Sequence, residues 1–211
     1  MVILTGRSAL LTEADGQTRR RQESNRKLLY AARRLFVDNG YDATRPQDIA
    51  RAAGVANGTF YLHFQDKEAV FLAFAEQAQD ELVARYEENL DGVIGLGARL
   101  EVILRTMIEY GSEHPGVLQA AFLDPVMIAP HNDDAWRIYD RISDFLSLAI
   151  GAEVSGSEIR SKWSLSLLSQ GISGFMRHAM IFAGRKQLDV DEVIEQVVNF
   201  VEHGFGDERS H

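Results

Sequence analysis

A chain of 211 residues with 45% apolar and 25% charged side chains can bury a sizeable core, and its length allows one large domain or two smaller ones. It has no cysteine, which excludes disulfides, thiolate metal sites and a cysteine nucleophile. The net charge of −9 argues against a nucleic-acid binder only until it is divided along the chain. Residues 1–64 hold 10 basic and 6 acidic side chains, a net of +4, and the remainder carries −13.

Attraction to phosphate acts over about a Debye length, ~8 Å in physiological salt. A basic N-terminal part can therefore bind DNA while the acidic body disfavours the wrong orientation. No stretch approaches the ~18 apolar residues that a bilayer span needs. The opening MVILTGRSALLTEADGQTRRR brings charge too early for a secretory signal. The chain reads as cytoplasmic, with no membrane partner.

Taken in order, residues 1–22 read as an N-terminal arm without fixed structure. Within it, Arg19-Arg20-Arg21 is either an arm laid along phosphates or in a minor groove, or a solvated charge run. ESNRKLLYAARRLFVDNG places Leu28, Leu29, Ala32, Leu35 and Phe36 on one helical stripe, and Asn39-Gly40 stops it. TRPQDIARAAG opens with Thr44 and Gln47 at capping-box spacing, with Pro46 in the first turn. Gly54 ends that helix, and GVANGTFYLHF supplies a third, short one. Asp66 can cap a long helix from Lys67 to about Leu90.

The body continues as helices to the C-terminus. ARLEVILRTMIEYGSE, DAWRIYDRISDFLSLAIG, a long uncharged stretch ending at MIFAG, and DVDEVIEQVVNFVEHGFG all carry helical periods. The valine run near the end also suits strands, but its period and length favour a helix. The fold class is all-α.

Two helices separated by a tight Gly54 turn make a helix-turn-helix, in which Ala50 allows close approach and the glycine takes the left-handed conformation. The third helix is then the recognition helix. Gly58 lets its backbone come close to DNA, and Asn57 can offer a donor and an acceptor to an adenine edge. Thr59 can reach a base or a phosphate, and Tyr61 and His63 can donate to phosphate oxygens. Lys67 sits beside free backbone N–H groups that favour the same anion. The competing reading makes Tyr61, His63 and Phe64 a small aromatic cluster between helices, and for Phe60 and Phe64 that reading is preferred.

NGYDATRPQDIARAAGVANGTFYLHFQDKEAVF closely resembles the DNA-binding segment of the TetR family of transcriptional regulators. The resemblance rests on Gly40-Tyr41, Thr44, Asp48-Ile49-Ala50, Ala53-Gly54-Val55, Gly58-Thr59-Phe60-Tyr61, His63-Phe64 and Lys67-Glu68. It implies about nine helices, a homodimer, and backbone contacts from Thr44, Thr59, Tyr61, His63 and Lys67. The expected domains are residues 23–68 for DNA binding and 69–211 for ligand binding and dimerisation. The chain departs from the family pattern at Arg45, at Ala56 where a serine usually caps the third helix, and at Asn57 where lysine is common. Arg45 can replace the missing phosphate contact, and Asn57 is expected to share in capping.

The resemblance also implies a small-molecule effector. Met107, Tyr110, Phe122, Met127, Trp136, Phe145, Trp163, Gln170 and Met176 are the candidates to line its pocket, and for each one taken singly ordinary core is the preferred reading. Leu168, Gly171, Ile172 and Phe175, with Val193, Val197, Phe200 and Val201, are candidates for a homodimer interface. A two-fold dimer would hold two recognition helices ~34–36 Å apart, one turn of B-DNA, over a palindromic operator.

The body shows no nucleophile–base pattern, no phosphate-binding glycine loop and no metal spacing, so no enzyme activity, cofactor or metal is expected. His114, His131, His178 and His203 are scattered. The alternative is an all-α binding protein or enzyme whose helix-turn-helix serves only as a docking surface.

Overall fold

In a computed structural model, residues 5–122, 130–154 and 164–204 are described, with side chains described from residue 16 and not for Phe122 or Val154. Among them, nine helices and no strand occur: α1 Thr5–Ala43, α2 Pro46–Ala52, α3 Asn57–Tyr61, α4 Lys67–Asn89, α5 Leu96–Glu113, α6 Val117–Phe122, α7 Asp133–Val154, α8 Leu165–Lys186 and α9 Val190–Gly204. The chain divides into two compact units, Met1–Ala75 and Glu76–His211.

The first unit differs from the sequence reading at both ends. The arm expected over residues 1–22 is helical from Thr5 onward, continuous with the first helix. Gln, Glu, Ala, Leu and Arg are good helix formers, and a single Gly16 does not interrupt them. The unit also runs past Lys67 to Ala75, because Val70, Phe71 and Phe74 are buried with Phe36. Phe71 meets Phe36 edge-on at 5.3 Å and Tyr41 at 5.2 Å between ring centroids.

The α2–α3 turn follows from its sequence. Gly54 has φ 67°, Gly54 N–H donates to the Arg51 carbonyl and Val55 N–H to that of Ala50, the two bonds of a Schellman motif. The expected capping box at Thr44 does not form. Arg45 is the N-cap, with φ −119° and ψ 149°, since a residue before proline is driven into the extended region. At α4 the Asp66 cap is present, its Oδ1 accepting from Ala69 N–H at 2.8 Å.

In the second unit, polar contacts join several of the helices beside their apolar packing. Glu202 of α9 accepts from Gly97 N–H at 2.9 Å and so caps α5 from outside. Arg105 of α5 pairs with Asp191 of α9 at 2.7 Å. Arg141 of α7 pairs with Asp80 of α4. Ser164 caps α8, and Gln187, at φ 54°, ends it in the left-handed conformation. The valine run is helical, with Val193, Ile194, Val197 and Val201 buried. Among the described residues, no helix is long and apolar enough to cross a membrane.

Candidate nucleic-acid interface and internal cavity

Helix α3 has one buried side chain, Phe60. Asn57, Gly58, Tyr61 and Leu62 form its outward face, at spacings of three and four residues. Tyr61 is 49% exposed and Leu62 73%. Thr59 is half-buried at the edge of that face. Ala56 is the N-cap and makes no side-chain cap bond, and Asn57 does not replace it. As the first helical residue, Asn57 lies one position past the cap, so its exposed amide is left for an outside partner.

Gly58 is the informative position. It lies within α3, and a Cβ there would meet nothing within 4 Å. Glycine costs a helix ~1 kcal/mol relative to alanine, and no described residue around it requires it.

The structure separates the other expected contacts. Thr44 is only 1% exposed, and its hydroxyl donates to the carbonyls of Gly40 at 2.8 Å and Leu35 at 3.1 Å. It therefore ties the end of α1 together, and the expected phosphate contact from its side chain is corrected. Arg45 is exposed at the start of α2. Lys67 donates to the Tyr41 carbonyl at 3.0 Å and lies 4.0 Å from the centroid of the Tyr41 ring.

His63 is half-buried, with Nε2 2.7 Å from Ser24 Oγ. The Ser24 hydroxyl is itself engaged by the carbonyls of Arg20 and Arg21, so the ring nitrogen donates. Burial, and then the Arg21 charge, hold the imidazole below its ordinary range. Sequence reading missed Ser24 and Leu62, because neither belongs to the resemblance and one exposed leucine has no period.

The second unit encloses a cavity of about 590 Å³. Its wall takes Gln79, Leu82 and Tyr86 from α4, with further apolar side chains from α5, α6, α7 and α8. Every turn of α8 from Gln170 to Arg185 contributes, a length of ~22 Å at the rise of a helix. The cavity is therefore elongated along α8. Of the expected lining residues, Met107, Phe145, Gln170 and Met176 stand on the wall. Tyr110 does not: it is fully buried elsewhere and its hydroxyl donates to Glu81 at 2.8 Å. Trp136 is exposed, its indole N–H donating to the Pro130 carbonyl. Met127 and Trp163 lie outside the described residues, as does the side chain of Phe122.

Charge on the wall has one sign. Arg177 and Arg185 line it, and no carboxylate does among the described residues. Arg177 donates to the Tyr139 hydroxyl at 3.4 Å and lies over that ring at 5.4 Å. Tyr86 stacks on Phe145 at 5.1 Å, and burial pushes its phenol well above the usual range, so it stays a neutral donor.

Residues 28–74 match the model of bacterial regulatory proteins of the tetR family. That segment is therefore similar to the DNA-binding segment of the TetR family. The chain is 33% identical over 72 residues to the HTH-type transcriptional regulator UidR of Escherichia coli K12. That match covers 34% of this chain and 37% of UidR, so it speaks for the head alone. It is 28% identical over 201 residues to the HTH-type transcriptional repressor KstR2 of Rhodococcus jostii RHA1, covering 91% of this chain and 94% of that one. The fold is similar to that of FadR from Bacillus subtilis, solved in complex with stearoyl-CoA, with a TM-score of 0.70, 18% identity and coverage of 84% and 97%.

The TetR resemblance also prompted the dimer residues, and here the structure corrects five of them. Leu168, Ile172, Val193, Val197 and Val201 are buried in their own chain. Periodicity picks out the most apolar stripe, and in α8 and α9 that stripe faces the home core. Gly171, Phe175 and Phe200 do face outward, with Phe175 36% and Phe200 51% exposed and their rings 4.6 Å apart. Leu167 and Phe182 extend the same exposed stripe of α8. Among the described residues, a Cβ on Gly171 or Gly174 would meet nothing within 4 Å, so their packing needs neither glycine.

Proposed function

We propose that this chain is a homodimeric repressor of the TetR family that binds a palindromic operator and is released when a small molecule fills the cavity of its second unit. The observation that carries the DNA half is Gly58: a glycine inside a helix, exposed, with free space around it and no strained φ, on a face that also carries Asn57 and Tyr61. A surface that must approach a polymer backbone closely accounts for it. Support for the repressor sign comes from the KstR2 likeness along almost the whole chain. The second copy covers the outward faces of α8 and α9, where Phe175 and Phe200 otherwise meet water.

The effector in this proposal is an elongated molecule, apolar for most of its length and anionic at one end. The ~22 Å run along α8 sets the length, and the positive charge of Arg177 and Arg185 on the wall sets the sign. The stearoyl-CoA held by FadR of B. subtilis, a protein of similar fold, is of that class. Such a ligand acts by favouring a different spacing of the two heads. Because α4 contributes to both units, it is the route we propose for the signal.

Fluorescence anisotropy tests both halves. A palindrome selected by the purified protein from a random duplex pool should bind with an affinity that falls steeply with salt. Stearoyl-CoA at saturation should weaken that binding by a coupling of ~1–3 kcal/mol, ~5–150-fold. Failure to enrich any duplex would remove the DNA half, and equal affinity with and without every anionic acyl ligand tried would remove the effector class.

A further inference from the structure

Among the described side chains of the first unit, the large hydrophobic residues left in water are Tyr30, Tyr61 and Leu62. Tyrosine carries a hydroxyl that makes exposure tolerable, whereas leucine has nothing polar to offer. Leu62 is 73% exposed. Its backbone, at φ −76° and ψ −19°, continues the helical path of α3, and its N–H donates to the Thr59 carbonyl at 3.3 Å. One helical turn therefore separates Gly58 from Leu62 on the same face. The glycine removes bulk from that face, and the leucine then projects from it with no partner in the first unit deep enough to bury it.

We infer that Leu62 reads thymine, packing its side chain on a C5-methyl group in the major groove. The inference rests on the DNA-binding reading above and goes beyond it. A leucine cannot satisfy a phosphate oxygen, and it gains nothing from the polar base edges. The thymine methyl is the apolar group that the major groove displays, and contact with it distinguishes A·T from the other pairs. Asn57 and Leu62 then divide the work on one face: the amide reads a hydrogen-bonding edge and the leucine reads a methyl.

Deoxyuridine differs from thymidine only by that methyl, so it isolates the contact. Each symmetric pair of thymines in the selected palindrome is replaced in turn by deoxyuridine, and binding of the full-length protein is followed by anisotropy at fixed salt. Burial of one methyl contributes ~4-fold, so the symmetric pair should contribute ~15-fold. One pair should show that loss with the native protein and not with Leu62→Ala, while Leu62→Met should keep most of it. Since the side chain is exposed, Leu62→Ala should unfold at the native temperature, which circular dichroism checks.

Two results would overturn the assignment. One is a native protein that binds every deoxyuridine duplex as tightly as the parent. The other is a Leu62→Ala protein that keeps the full sensitivity. A uniform loss of affinity in Leu62→Ala with no deoxyuridine effect would place the side chain on deoxyribose and also reject thymine reading. In each of these cases the parent duplex still binds, so the broader DNA-binding reading stands or falls separately.

Discussion

At His63 one side chain has two claims on it. Resemblance assigns it to a phosphate, whereas the structure holds Nε2 at 2.7 Å from Ser24. A phosphate contact from the other ring nitrogen needs the protonated ring, because a neutral imidazole that donates from Nε2 leaves Nδ1 an acceptor. Stability should show the Ser24 contact. The imidazole is held below its ordinary 6.5 by burial and then by Arg21, so the unfolded chain binds the proton more readily. Stability from neutral His63 is fully present above pH 6.5 and is lost as the pH falls below it toward the depressed value. Urea midpoints measured between pH 7.5 and 5.5 should fall, and His63→Gln should flatten the part of that fall that His63 causes.

Asn57 and Tyr61 differ in another way. Asn57→Ala should relax preference at one base pair by ~1–3 kcal/mol. Tyr61→Phe, which removes a phosphate donor, should weaken all duplexes alike. A binding matrix from the selected pool separates the two outcomes.

Among elements, α3 is short and poorly capped, and both features can be altered independently. Ala56→Ser restores an N-cap hydroxyl and should stabilise the first unit by ~1 kcal/mol with little effect on DNA binding. Gly58→Ala should also stabilise the fold, by up to ~1 kcal/mol, since free space surrounds the position and its φ is unstrained. It should nevertheless weaken operator binding at least tenfold, because a methyl group then stands between helix and DNA. Thermal melts and anisotropy on the same two proteins give the comparison. A glycine kept for folding would show the opposite sign in the melt.

The head was legible because its signals are local. Gly54, Asp66 and the Phe60 period each dictate a turn, a cap or a buried face within a few residues. Thr44 misled because Pro46 moves the cap to Arg45, a steric effect stronger than the capping-box spacing. The body was legible as helices but not as surfaces. Arg177 and Arg185 lie eight residues apart, two turns along one face, a spacing visible in the sequence. It gained meaning only when the cavity brought the two arginines onto one lining with Met107 and Phe145.

For the whole molecule, the deciding matter is whether two heads act together. Five of the residues expected at the interface are core, so the proposed interface centres on Phe175 and Phe200, beside glycines that no described residue requires. Phe175→Glu places two carboxylates near the axis of a two-fold interface, where each faces its own copy across an apolar contact. The variant should sediment as a monomer where the native protein sediments as a dimer. Its effect on DNA is more telling than its mass. A dimer neutralises twice the phosphates of one head, and the slope of log K against log salt is ~−0.9 per phosphate contact on B-DNA. The monomer should therefore show about half the native slope as well as lower affinity. Phe175 does not stand on the cavity wall, although its neighbour Met176 does, so the variant should still bind stearoyl-CoA, and that retention shows it is folded. A full slope in a proven monomer would mean that one head alone makes all the phosphate contacts, and the palindrome would lose its physical reason.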